Sequence, residues 1–147
     1  GEPYTEMVRR VQSVAERLDP TPAIVVDATG VGRPVVDVMI EAGLRRIVPV
    51  VITGGSQVTD EWVGGRTEYR VPKRDLVGTL QVLLQNRLLK IAAAIDYRDE
   101  LVAEMQNFRA KMNMETGHTS FEHWRSGDHD DLVLALTLAC WYAENHM

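Results

Sequence analysis

Two β-branched runs, residues 23–26 and 47–52, frame a helical stretch at residues 34–42. Pro34 suits the first turn of that helix and Gly43 its end. Ahead of the first run, Met7, Val8, Val11, Val14, Ala15 and Leu18 recur at helical spacing, with charges on the other face. Residues 4–18 therefore read as an amphipathic helix. Asp19-Pro20-Thr21-Pro22 ends it, since proline cannot continue a helix and restricts the residue before it. The order helix, strand, helix, strand predicts two parallel strands joined by a crossover helix.

Residues 53–72 change character. Gly54-Gly55 and Gly64-Gly65 punctuate a segment holding Trp62 and Tyr69. Residues 58–63 and 67–71 read as two arms of a protruding β-hairpin. Helices are predicted at 74–86, 96–111 and from 128 to about 145, with a short edge strand at 88–91 and a polar, aromatic stretch at 112–127. Neither an internal repeat nor a low-complexity linker interrupts this order.

A chain of 147 residues suits one domain. Its 45% apolar and 25% charged residues are ordinary for a globular protein. The longest apolar run, residues 132–143, is too short to span a bilayer, and no secretory leader is recognisable. The single cysteine, Cys140, cannot form an internal disulfide and reads as a buried free thiol. A net charge of −5 argues against a strong autonomous nucleic-acid binder, because phosphate contacts dominate such affinity. It leaves room for an enzyme whose site is itself built of carboxylates.

Two places carry candidate chemistry. Asp27 closes the first apolar strand and is followed at once by the turn Thr29-Gly30-Val31-Gly32 and a helix. Ligands of open α/β sheets bind outside such strand ends. The plain alternative is a turn or capping aspartate. The second place is Asp128-His129-Asp130-Asp131, ahead of a helix that is apolar nearly all round. Acids at a helix start also serve as caps and complement the helix dipole. Three in four residues at a buried helix weaken that explanation. Adjacent helical residues point roughly 100° apart, so Asp130 and Asp131 cannot face one ion equally. Taken together the acids suggest a two-metal arrangement, in which two Mg²⁺ or Mn²⁺ ions about 3.5–4 Å apart activate water and stabilise a leaving oxygen. Zinc is disfavoured, because no paired histidine or cysteine spacing occurs.

Four segments carry a resemblance. Val25-Val26-Asp27-Ala28-Thr29-Gly30-Val31-Gly32 resembles the second acidic strand and turn of the nuclease domain of phage terminase large subunits. Val71-Pro72-Lys73-Arg74-Asp75-Leu76 and Asn86-Arg87-Leu88-Leu89-Lys90-Ile91 resemble the lead into the family's next helix and the short strand after it. Gly127-Asp128-His129-Asp130-Asp131-Leu132-Val133-Leu134-Ala135-Leu136 resembles its closing motif. Each is weak alone; the four occur in the family's order across nearly the whole chain.

The resemblance implies an RNase H-like α/β fold: a mixed sheet flanked by helices, with a protruding hairpin. It implies a DNA endonuclease that cuts concatemeric DNA during genome packaging in the bacterial cytoplasm. Its implied partners are double-stranded DNA, the terminase ATPase domain, the small terminase subunit and the portal. It implies that Asp27 and Asp131, with Asp130, hold Mg²⁺ or Mn²⁺, and that His129 lies beside the ions. The family carries a further aspartate on a first strand, which would precede residue 4 together with two antiparallel neighbours. Without those strands the 147 residues are expected to cut DNA weakly or not at all.

Lys73, Arg66, Arg70 and Arg74 surround the hairpin and are candidates to hold a DNA backbone, against the plainer reading of a solvated surface. Trp62 is a stacking candidate, although a cross-strand pair with Tyr69 explains it as well. His118 and His123 carry no ligand spacing. The turn at residues 29–34 offers a rival function, an α/β module that cradles a phosphorylated ligand. As a nucleotide fingerprint it fails, since the third glycine falls at Val35. A second rival is a docking domain of the packaging motor whose acids are caps.

Overall fold

A computed structural model describes residues 3–114 and 130–147. Among these, five α-helices accompany one four-stranded sheet: α1 (Tyr4–Ala15), β1 (Ile24–Asp27), α2 (Arg33–Glu41), β2 (Ile47–Thr53), β3 (Thr59–Val63), β4 (Arg66–Pro72), α3 (Lys73–Gln85), α4 (Arg98–Met114) and α5 (Asp131–His146). The strand order is β1-β2-β4-β3. The result is an α/β fold with a mixed sheet. Two compact units divide the chain. The first comprises residues 1–52 and 57–71, the second residues 53–56 and 72–147.

In the first unit β1 and β2 pair in parallel, Ile24 with Ile47 through Asp27 with Val50, as the crossover pattern predicts. The helix between them stops where expected. Gly43 adopts φ +85°, and the amides of Gly43 and Leu44 bond back to the carbonyls of Ile40 and Met39. This is a Schellman ending, which needs a left-handed residue at that position. Val8 of α1, Ala28, Val36 and Met39 of α2, and Ile47 of β2 form the core, with Met7, Val11 and Val26 against it. Each fully buried aliphatic side chain contributes roughly 1.5–3 kcal/mol. Helix α1 ends at Ala15, three residues earlier than its apolar spacing predicts, and Leu18 is exposed.

Strands β3 and β4 are antiparallel and joined by Gly64 and Gly65, both at positive φ. Two such residues match the twist of the flanking strands. Strand β4 lies between β2 and β3, so this pair continues the sheet. Trp62 stands opposite Thr67, and Tyr69 opposite Asp60, so the two aromatics are diagonal rather than direct partners.

In the second unit α5 packs on α3 and α4. Leu76, Val77, Leu80 and Leu83 of α3 and Val133, Leu138, Cys140 and Trp141 of α5 are buried. The all-round apolarity of α5 predicted full burial. Instead Ala135, Ala139 and Ala143 share an exposed stripe with Asp131, at the four-residue spacing of one helix face. Alanine tolerates that position because its methyl group exposes little apolar area and its helix propensity is the highest of all. The short strand predicted at residues 88–91 does not form. Arg87 takes φ +55° after α3, and Leu88 beyond it is exposed without a strand neighbour. A strand without a ladder partner leaves its amides unpaired. No described helix is long and apolar enough to cross a membrane.

Candidate functional site

Asp27 ends β1, and its turn folds back on it. The carboxylate Oδ1 accepts the Thr29 amide at 2.9 Å, an Asx turn that starts the chain round. The Thr29 hydroxyl oxygen in turn accepts the Ile52 amide of β2 at 2.9 Å, and the Ala28 amide donates to the Val50 carbonyl at 2.8 Å. The turn is thus fastened to the neighbouring strand by both side chain and backbone. Gly32 closes it so tightly that a Cβ there would lie 2.4 Å from the Asp27 carbonyl oxygen. The acid thus stands at the carboxyl end of a parallel strand beside a glycine turn, the end at which open α/β sheets bind ligands.

At the second place, Asp128 and His129 lie outside the described residues. Asp130 is the N-cap of α5 and Asp131 its first residue. Asp130 makes no side-chain capping bond. The cap comes from α4, where Glu104 Oε2 accepts the Val133 amide at 2.9 Å. This bears on the plain alternative that the two aspartates exist to cap the helix. An acid brought from another helix meets that need, and Asp131 stays exposed at the tip. Glu104→Ala should therefore destabilise the second unit by about 1 kcal/mol, the usual value of a lost cap. Chemical denaturation checks this, and hydrogen exchange should show the first turn of α5 opening.

The basic candidates separate. Arg74 donates to the Ser56 carbonyl at 2.6 Å while remaining exposed, and Arg70 lies 3.5 Å from Glu61 across the β3–β4 pair. Arg66 is half-buried at the start of β4. Lys73 departs from the expectation of a surface grip. It is 8% exposed and its Nζ is shut away from solvent, because it sits where the buried end of β4 passes into α3. A buried ammonium is not available to a DNA backbone. Beside it in sequence, Asp75 has a buried Oδ2 without a hydrogen-bond partner among the described residues.

Glu68, like Glu104, escaped the sequence reading. In the middle of β4, it is buried and paired with Arg33 of α2 at 3.1 Å. On alternation alone it falls on the face of Arg66 and Arg70 and looks like a solvated residue. Only its partner, far away in the chain, explains its burial. Cys140 is buried and free. Burial pushes its thiol pKa up, with Glu144 adding to the effect. The thiol therefore stays protonated, which makes it a packing group rather than a nucleophile. Because the folded value is raised, its stabilising contribution holds below the unfolded thiol's pKa and fades as pH rises through the folded one.

No protein family, curated protein or solved structure matches the chain.

For a metal, the donor chemistry is that of hard cations: Asp27, Asp130 and Asp131 offer carboxylate oxygens, the ligands that Mg²⁺ and Mn²⁺ select. Among the described residues no three His, Cys, Asp or Glu side chains gather closely enough to form a complete metal cage. Mg²⁺ does not require one, since it keeps several waters and takes one or two carboxylates.

Proposed function

We propose that this chain is a metal-dependent DNA nuclease domain of the kind found in phage packaging terminases, with the RNase H-like architecture such domains share. The observation that carries the reading is Asp27. An acid stands at the carboxyl end of a parallel strand, held by an Asx turn and a glycine turn fastened to the next strand. The sequence resemblance assigns the remaining metal-binding role to Asp131 and Asp130, with His129 beside them. That Asp130 makes no side-chain cap and Glu104 supplies one supports a role for these acids beyond helix termination.

A bound Mg²⁺ or Mn²⁺ would stabilise charge on the phosphodiester and lower the pKa of attacking water. The protein's own part is to keep the Asp27 carboxylate oriented, which the Thr29 amide does, and to present Asp131 to solvent at a helix tip. No protein nucleophile is required. The substrate would be double-stranded DNA, and the partners would be the motor domain, small subunit and portal of a packaging machine in the bacterial cytoplasm.

Titration calorimetry with Mn²⁺ tests this. Saturable binding lost in both Asp27→Asn and Asp131→Asn is expected. Binding that survives either substitution, or no binding by the unaltered chain, would remove the nuclease reading and favour a phosphate-cradling or docking module.

A further inference from the structure

The Arg33–Glu68 pair joins the end of the Asp27 turn to β4, 35 positions later in the chain. Its two ends differ sharply. The Glu68 side chain is 4% exposed, while that of Arg33 is 56% exposed. Burying a carboxylate costs several kcal/mol unless a partner compensates it, and an apolar pair of equal volume serves stability as well or better. A purely structural role is thus a poor account of an acid on an interior strand that anchors a half-exposed cation.

The position of the cation is informative. Arg33 directly follows Gly32, the residue pressed against the Asp27 carbonyl. One guanidinium nitrogen, Nη2, is engaged by Glu68 Oε1 at 3.1 Å. Guanidinium carries five donors in a fixed planar fork, which matches phosphate oxygens and remains charged at any working pH. Anchoring one edge on a buried carboxylate removes much of the rotamer freedom a long side chain otherwise loses on binding. The Arg33 side chain as a whole stays more than half exposed.

We propose that Arg33 contacts a backbone phosphate of the DNA strand lying over the Asp27 turn, and that Glu68 is the positioning residue that holds its guanidinium in place. The ligand's identity rests on the nuclease reading above.

Binding of the whole chain to a short fluorescent DNA duplex, measured in EDTA across a range of salt concentrations, tests the pair. Arg33→Gln should weaken binding roughly tenfold, the value of a lost charged hydrogen bond. It should also lower the slope of log affinity against log salt by about one phosphate contact. Arg33→Lys restores the charge and should restore the slope, while leaving affinity below that of the unaltered chain. Glu68→Gln leaves the cation in place, so affinity should fall with the slope unchanged, a split that mere loosening of the fold does not produce. Thermal melts accompany each variant. An unaltered slope in Arg33→Gln, or a slope that Arg33→Lys fails to restore, overturns the proposal, as does absence of duplex binding by the unaltered chain. Because EDTA removes metal, duplex binding and Mn²⁺ binding are read separately, so failure of this phosphate contact is distinguishable from failure of the nuclease reading.

Discussion

Asp27→Asn should abolish Mn²⁺ binding while leaving the fold almost untouched. The argument turns on what asparagine keeps. Its side-chain oxygen still accepts the Thr29 amide, so the Asx turn at 2.9 Å survives. Charge is what disappears, and a divalent hard cation binds an amide oxygen far less well than a carboxylate. Stability is therefore expected to change by no more than about 1 kcal/mol, the net worth of one hydrogen bond, while the calorimetric binding signal vanishes. Asp27→Ala is the companion variant. It loses charge and turn acceptor together, so it should lose both metal binding and stability. If the asparagine variant binds Mn²⁺ like the unaltered chain, Asp27 is a turn residue only.

Gly32→Ala should be among the most damaging small substitutions in the protein. Gly32 has φ −70°, an ordinary right-handed conformation that alanine adopts readily. Conformational preference therefore does not oppose the change, and alanine would reduce the entropy of the unfolded chain. The opposition is steric. The new Cβ would lie 2.4 Å from the Asp27 carbonyl oxygen and 3.2 Å from its carbon. These are backbone atoms of a strand end, locked by the parallel ladder, and cannot swing aside like a side chain. Overpacking of this kind costs about 3 kcal/mol, which in a domain of this size lowers the melting temperature by roughly 6–12 °C. Gly30 is the contrast. It sits at φ +64° with open space around the missing Cβ, so alanine there costs only the left-handed penalty, about 1–2 kcal/mol. Equal effects at the two glycines would contradict the close approach.

Much of the first unit was legible because its signals are local. Proline, glycine and β-branched runs fixed β1, α2 and β2 to within a residue or two, and the parallel pairing followed from the crossover helix between them. What escaped is carried by residues far apart in sequence. Glu68 looks like any outward residue of an alternating strand until Arg33, 35 positions earlier, accounts for its burial. Glu104 looks like a surface acid of α4, yet it caps a helix 29 positions later. Lys73 reads as a surface cation because charge is the strongest local cue, and nothing nearby announces that β4 delivers it into a buried place. The segment at residues 88–91 has strand-like composition, but pairing is decided by a neighbour, and none arrives. Asp27 at the end of its strand and Asp130 and Asp131 at the start of α5 stand on the elements their local sequence predicts, while Asp128 and His129 lie outside the described residues.

One hydroxyl has a consequence for how the Asp27 loop can be watched. The backbone amide of Ile52 ends on the Thr29 side chain instead of on a neighbouring strand's carbonyl. Its exchange with deuterated solvent is therefore a gauge of the loop and not of the sheet. Each time the loop lifts from its seat that single amide loses its acceptor, while the amides along the ladder before it keep theirs. A spectroscopist following one resonance can read how often Thr29 leaves Ile52, and whether adding an ion or a nucleic acid holds the turn down.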